Sequence, residues 1–227
     1  MKLRNFGLFL CAFYLVASIA FFTIPGAPTA LTREDHLLEN TTVALYLLAG
    51  GIAFFTLVRR RFGSKTLPFI FLGLSLFATA EELSYGERFI GFEAFHIYGI
   101  KFDSLHDSFD IAFEVVKDLI QAGFFGVLFL LLLALLAGFL CLVFRHAMIQ
   151  ALITSLRHQA IIYVMLFFVF GGLGICFDLI AKTLRNWGFA FHVWGTLLEE
   201  LFETTASIAL VIGAIILLRE KLARTEV

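Results

Sequence analysis

Apolar residues dominate six stretches of the 227-residue chain, at positions 6–24, 42–58, 67–80, 122–144, 160–180 and 197–218. Most approach the length a helix needs to cross a hydrocarbon core about 30 Å thick. The third is short because Glu81 and Glu82 interrupt it. The runs do not alternate as barrel strands do, and in lipid the backbone amides must be satisfied within each segment. The pattern therefore predicts an all-α, polytopic transmembrane helix bundle of about six spans, forming a single integral-membrane domain over residues 1–227.

The polar positions between the runs set the connections. Residues 25–40 read as an outer loop, with Pro25-Gly26 ending the first helix and Asn40 or Thr41 capping the second. Residues 81–121 form the largest outer element. Its part 84–99 carries Gly86, Gly91 and Gly99 among aromatics and reads as irregular or interfacial. Beyond it, Asp103-Ser104 can cap a helix that runs straight into the fourth span. On that helix Asp103, His106, Asp110 and Glu114 share a stripe opposite Phe109, Ala112, Val116 and Leu119. The first run has features of a secretory signal, with Lys2 and Arg4 ahead of it and Ser18-Ile19-Ala20 within it. Its apolar character continues through Ile24, which favours a retained helix.

Composition narrows the classes. Apolar residues make up 60% of the chain and charged residues 15%, with 29 phenylalanines and a mean hydropathy of +0.94. A water-soluble domain holds roughly 45–50% apolar and about 25% charged residues, so a soluble enzyme and a nucleic-acid binder are both excluded. The near-balance of 17 Lys+Arg and 18 Asp+Glu gives no polyanionic partner. The partners expected are membrane lipids and another membrane protein. Cys11, Cys141 and Cys176 lie in apolar runs without metal or disulfide spacing.

Orientation follows from the bases. Placing the N-terminus in the cytoplasm puts 11 of the 17 Lys+Arg inside, Arg59-Arg60-Arg61 foremost. Both termini are then cytoplasmic and the expected location is a bacterial cytoplasmic membrane. The acids do the opposite. All but Glu220 and Glu226 fall at the outer end, as do His36, His96, His106 and His192.

Ionisable groups inside the hydrocarbon cost on the order of 2.5–3.5 kcal/mol each, so their depth carries information. Glu82 and Glu203 each lie 15 residues from the inner end of their runs, about 22 Å up a helix. Asp178 lies about 27 Å up the fifth by the same rise. Glu203 shares a helix face with Glu199 or Glu200 at spacings of four and three. Like charges this close need protons, counter-ions or a metal. Carboxylates from facing helices plus a nearby histidine are how di-metal centres are assembled in bundles. Glu81, Glu82, His106, Asp110, Glu199, Glu200 and Glu203 are the candidate ligands, for zinc, iron or manganese. The competing reading is a solvated acidic face, with Arg88, Lys101, Lys117, Lys182 and Arg185 pairing many of the acids.

Two resemblances start at Glu81. The run Glu81-Glu82-Leu83-Ser84-Tyr85-Gly86-Glu87-Arg88, followed by Leu105-His106 and Leu198-Glu199-Glu200-Leu201-Phe202-Glu203, resembles an uncharacterised bacterial multi-pass inner-membrane family with a Glu-Glu-x-Ser-aromatic-Gly-x-Arg motif. Tyr85 and Glu87 stand where that family has Trp and Gln. More distantly, the pieces resemble the CAAX-protease and bacteriocin-processing intramembrane glutamate proteases. That resemblance implies Glu82 as the base activating water, with His106 beside it. Arg88 falls two residues late and Thr196 replaces the Asn or Asp of the final motif.

The leading functional expectation is a carboxylate/His site near the outer leaflet, binding a divalent metal and acting as a membrane-embedded hydrolase with Glu82 and His106 as catalytic residues. A non-catalytic scaffold, using Gly171-Gly172 and Gly174 as a groove for another helix, is the first alternative. A cation or proton pathway is the second, disfavoured by the apolar run from Ile208 to Leu218.

Overall fold

The structure is a computed structural model that describes residues 3–32, 37–59, 65–84, 95–102, 105–156, 158–186 and 192–225. Its helices are α1 (Leu3–Thr23), α2 (Ala27–Thr32), α3 (Leu37–Arg59), α4 (Thr66–Glu82), α5 (Leu105–Gln121), α6 (Phe124–Leu156), α7 (Gln159–Asn186) and α8 (His192–Thr225). One hairpin, β1 (Phe95–Ile97) and β2 (Ile100–Phe102), precedes α5. Among the described residues the architecture is all-α apart from this hairpin. Helices α1, α3, α7 and α8 are long and apolar enough to cross a membrane, while the described apolar part of α6, Phe124–Leu136, is shorter. Helix α4 has 17 residues. The chain divides into two compact units, Met1–Glu82 with Gln159–Val227, and Leu83–His158.

In the first unit α8 is the axis. It packs on α7, α3, α4 and α2, and 67% of its apolar window is buried, against 17% for α1 and for α7. Lipid tails are as apolar as leucine, so helices in a membrane are held by close contact, and small residues let backbones approach. Helix α8 follows this rule with fully buried Ala206, Ala209 and Ala214. At Gly213 the ring of Phe71 from α4 lies on bare backbone: a Cβ there would stand 2.5 Å from two ring carbons. At Gly195 a Cβ would come within 2.7 Å of Ala181 Cβ on α7.

Hydroxyl groups tie the surrounding helices to α8. Thr204 Oγ1 donates to Glu200 O at 2.8 Å and lies 2.9 Å from Thr42 Oγ1 of α3. A hydroxyl has one proton, so Thr42 is the donor in the second bond. By the same logic Tyr14 of α1 donates to Thr205 Oγ1 at 3.1 Å, because Thr205 gives its proton to Leu201 O at 2.7 Å. Interhelical bonds of this type contribute about 0.6 kcal/mol each on average. A double-mutant cycle of Thr42→Val and Thr204→Val is expected to return a coupling of about that size in thermal unfolding, whereas independent losses would place the two hydroxyls apart.

Several boundaries differ from the hydropathy reading. Helix α4 continues through Glu81 and Glu82, and α6 runs on past Arg145 to Leu156, because helical hydrogen bonding does not stop where the surface becomes charged. Helix α3 starts at Leu37, so Asn40 and Thr41 lie inside it. Thr41 Oγ1 donates back to Leu37 O at 2.6 Å, which removes it as a cap. Part of the outer loop is itself helical, as α2. The proposed cap Asp103-Ser104 lies outside the described residues.

In the second unit the hairpin pairs Phe95 with Phe102, His96 with Lys101 and Ile97 with Ile100. Its two-residue turn, Tyr98-Gly99, has φ of 56° and 75°, the pattern of a type I′ turn that matches strand twist. Helix α5 does not run into the next span as expected. Gly123, at φ 75°, ends it in a left-handed turn, with Gly123 N donating to Ile120 O at 3.0 Å. Helix α6 then starts one residue later. On α5 Lys117 donates to Glu114 at 2.8 Å, and that bond and the carboxylate's charge hold the ammonium's pKa above its ordinary value.

Candidate functional site: an acid cluster between α4 and α8

Five of the seven expected site residues lie on two neighbouring helices. Glu81 and Glu82 are the last residues of α4, and Glu199, Glu200 and Glu203 occupy the first half of α8. All five are half-buried. Within the cluster Glu82 is the strongest electrostatic neighbour of Glu203, followed by Glu199, Glu200 and Glu81. Glu199 in turn feels Asp178 of α7, Glu200, Lys182 and Glu82. Residues more than a hundred positions apart in sequence thus bring negative charge to one place.

Close packing fixes Glu203. A Cβ on Gly174 of α7 would lie 3.1 Å from Glu203 Cγ and 3.5 Å from Oε1, so the side chain rests on the α7 backbone. Gly174 therefore belongs to the floor of the site, not to a free groove for another helix. Gly171 and Gly172 meet nothing within 4 Å. Gly174→Ala requires the Glu203 side chain to give by a few tenths of an ångström. It is expected to reduce whatever the site does while shifting the melting temperature by only a few degrees, since overpacking by one methyl sits near the low end of about 1–3 kcal/mol. Equal activity with lowered stability would mean that Glu203 position does not matter.

Positive charge is supplied from α7. Lys182 Nζ lies 2.8 Å from Asp178 Oδ2 one turn away, and Asp178 is only 8% exposed. Lys182 also offsets part of the charge on Glu199. The pair is the kind of acid–base neutralisation that the sequence suggests for Lys182.

Two groups at the site carried no sequence signal. Tyr46 of α3 is 4% exposed and has Glu82, Glu203 and Glu81 as its electrostatic neighbours. Thr42, one turn before it, holds α8 through Thr204, directly beneath Glu200. Both are uncharged residues inside an apolar run. The one legible hint is their i, i+4 spacing, which puts them on a single face of α3.

The remaining candidates stand elsewhere. His106 and Asp110 lie on α5, in the second unit, and their side chains are outside the described residues, as are positions 85–94 with Glu87 and Arg88. His96 is exposed on β1.

The expected metal centre is not supported. Among the described residues no three His, Cys, Asp or Glu side chains come together in a way that could hold a metal ion. The physical reason lies in α8. Successive residues on a helix point about 100° apart, so Glu199 and Glu200 diverge, and Glu203 between them rests on the α7 backbone at Gly174. Among the described residues no imidazole joins Glu81, Glu82, Glu199, Glu200 and Glu203, and no three of them form a ligand set for zinc, iron or manganese.

What the arrangement can do is hold and move protons. Carboxyls sharing a confined, partly dry space do not all ionise together, and such a pair divides into a proton holder and a proton acceptor. The chain matches no protein-family model, no curated protein and no solved structure.

Proposed function

We propose that the chain is a six-span protein of the bacterial cytoplasmic membrane, with both termini cytoplasmic, and that the acid cluster makes it a membrane-embedded hydrolase. Helix α4 and α6 supply the two spans beyond the four long apolar helices. The observation that carries the reading is the packing of half-buried Glu203 on the α7 backbone at Gly174, with the half-buried Glu82 at the end of α4 as its strongest charged neighbour. Glu82 accepts a proton from water as that water attacks a carbonyl of a lipid or a membrane-dwelling peptide. Glu203 holds the proton that the leaving group needs. Tyr46 closes the α3 side of the site. His106 stands outside this assignment because its side chain lies outside the described residues.

A conducting pathway fits less well. The buried hydroxyls of α8 end at Ser207, and beyond it the helix is apolar from Ile208 to Leu218, with Ala209, Leu210, Ala214 and Leu217 completely or nearly buried.

A hydrophobic carbodiimide, which reacts with protonated carboxyls in apolar surroundings, tests the reading in lipid vesicles. One adduct per chain is expected on the Glu82–Glu203 pair by peptide mass spectrometry, with hydrolysis lost in proportion. Labelling confined to exposed acids such as Asp118, with the pair unmodified, would overturn it.

A further inference from the structure

Helix α5 and the hairpin present an apolar surface that nothing in their own unit covers. On α5 Phe113, Val116 and Ile120 recur at spacings of three and four, on one side, and Phe113 is 68% exposed. Glu114 and Asp118 lie on the polar side, and Lys117, ion-paired to Glu114, stands at its boundary one turn from Phe113. The hairpin, which packs on α5 through β2, exposes Phe95 (76%) and Tyr98 at its tip. A water-facing helix with this division would leave an apolar stripe in solvent, where such patches are avoided unless they have a partner.

The occupant follows from what the surface joins. After the Gly123 turn the chain enters α6, whose Phe124, Phe125 and Leu132 are all more than half exposed and form an apolar face suited to acyl chains. The α5 stripe is continuous with that face through a corner of one tight turn. At this corner a Cβ on Gly126 would collide with Leu119 O, so the two helices are held close there. We propose that α5 and the β1–β2 hairpin are an interfacial lipid-binding surface: the helix lies along the bilayer with Phe113, Val116 and Ile120 in the acyl boundary, and Phe95 and Tyr98 anchor beside it. Amphipathic helices in this position sink about 5–10 Å below the headgroups, and aromatic residues favour that level. Lys117 flanks the stripe at its polar boundary, the level at which lipid phosphates lie. The proposal rests on α6 being a span, and not on the hydrolase reading.

The test uses the full-length chain, with Cys11, Cys141 and Cys176 replaced by serine or alanine, in phosphatidylcholine–phosphatidylglycerol vesicles. Single cysteines at Phe113, Val116, Asp118 and Leu132 carry an environment-sensitive fluorophore. Quenching by aqueous iodide is compared with quenching by lipids labelled near the headgroup or at the bilayer centre. The expected result is a blue-shifted emission at 113 and 116, quenched several-fold more by the shallow lipid label than by iodide. Position 118 should show the reverse, and 132 should respond to the deep label. Iodide quenching at 113 and 116 equal to that at 118 would overturn the proposal, leaving α6 as a span if 132 still reports the bilayer centre. Shielding of 113 and 116 from both quenchers would also overturn it, by placing protein on that face. Loss of the deep signal at 132 would remove the span and the proposal together.

Discussion

Glu82→Gln and Glu203→Gln are each expected to lower hydrolysis of a membrane substrate by about 10²–10⁴-fold, the usual contribution of a positioned acid or base. Glutamine keeps the size and hydrogen-bonding shape of the side chain but can neither accept nor release the proton. The two effects should not add. Once one carboxyl is gone the other has no partner with which to divide a proton, so the double variant is expected to fall little below either single one. Glu199→Gln should do much less, because Glu199 already has Lys182 beside it. Product release from reconstituted protein, followed by mass spectrometry over a panel of lipid esters and membrane peptides, is the measurement. Equal turnover in wild type and Glu82→Gln would remove Glu82 from the chemistry.

The largest effect on stability is expected at the crossing of α4 and α8. Gly213→Val would push a branched side chain into the space held by the Phe71 ring, which is fully buried and 2.5 Å from where the first added carbon would stand. Overpacking of this kind costs about 1–3 kcal/mol, and a rigid aromatic over backbone places it at the upper end. Phe71→Ala alone should cost about 3–5 kcal/mol by leaving a cavity. Combined, the two changes are expected to cost clearly less than their sum, since each relieves part of the other's fault. Melting temperatures of the four proteins in the same detergent give the comparison; strict additivity would mean that the two residues do not touch.

How far the sequence could be read differs between the two layers of the structure. The apolar runs place α1, α7 and α8 well, because lipid demands both length and apolarity and the two signals coincide. They end α4 too early and α6 too soon, since hydropathy registers solvent preference while helices are defined by backbone bonds, which continue through Glu82 and Arg145. The depth argument for Glu82 and Glu203 rests on helix rise alone. The metal reading does not follow from it. Depth says nothing about direction around the helix: Glu199 and Glu200 point about 100° apart on α8, and Glu203 between them rests against α7.

Other parts of the site were invisible for a different reason. Thr42, Tyr46, Thr204 and Thr205 carry no charge and sit in apolar runs, so neither hydropathy nor charge counting marks them. Their value lies in pairing across helices, and pairing depends on which helices are neighbours. Gly174 is the sharpest case. In the sequence it belongs to a glycine-rich patch that suits helix docking, and only the crossing of α7 with α8 reveals that Glu203 fills the space.

The central claim is that Glu82 and Glu203 occupy one site. In a chain otherwise free of cysteine, Glu82→Cys with Glu203→Cys, treated in the membrane with a short bismaleimide, tests it. Thr42→Cys with Thr204→Cys serves as the positive control, because those hydroxyls lie 2.9 Å apart. Efficient intramolecular cross-linking of the 82–203 pair is the predicted result. Cross-linking of the control pair alone would contradict the account, because the two carboxyls would then be too far apart to share a proton.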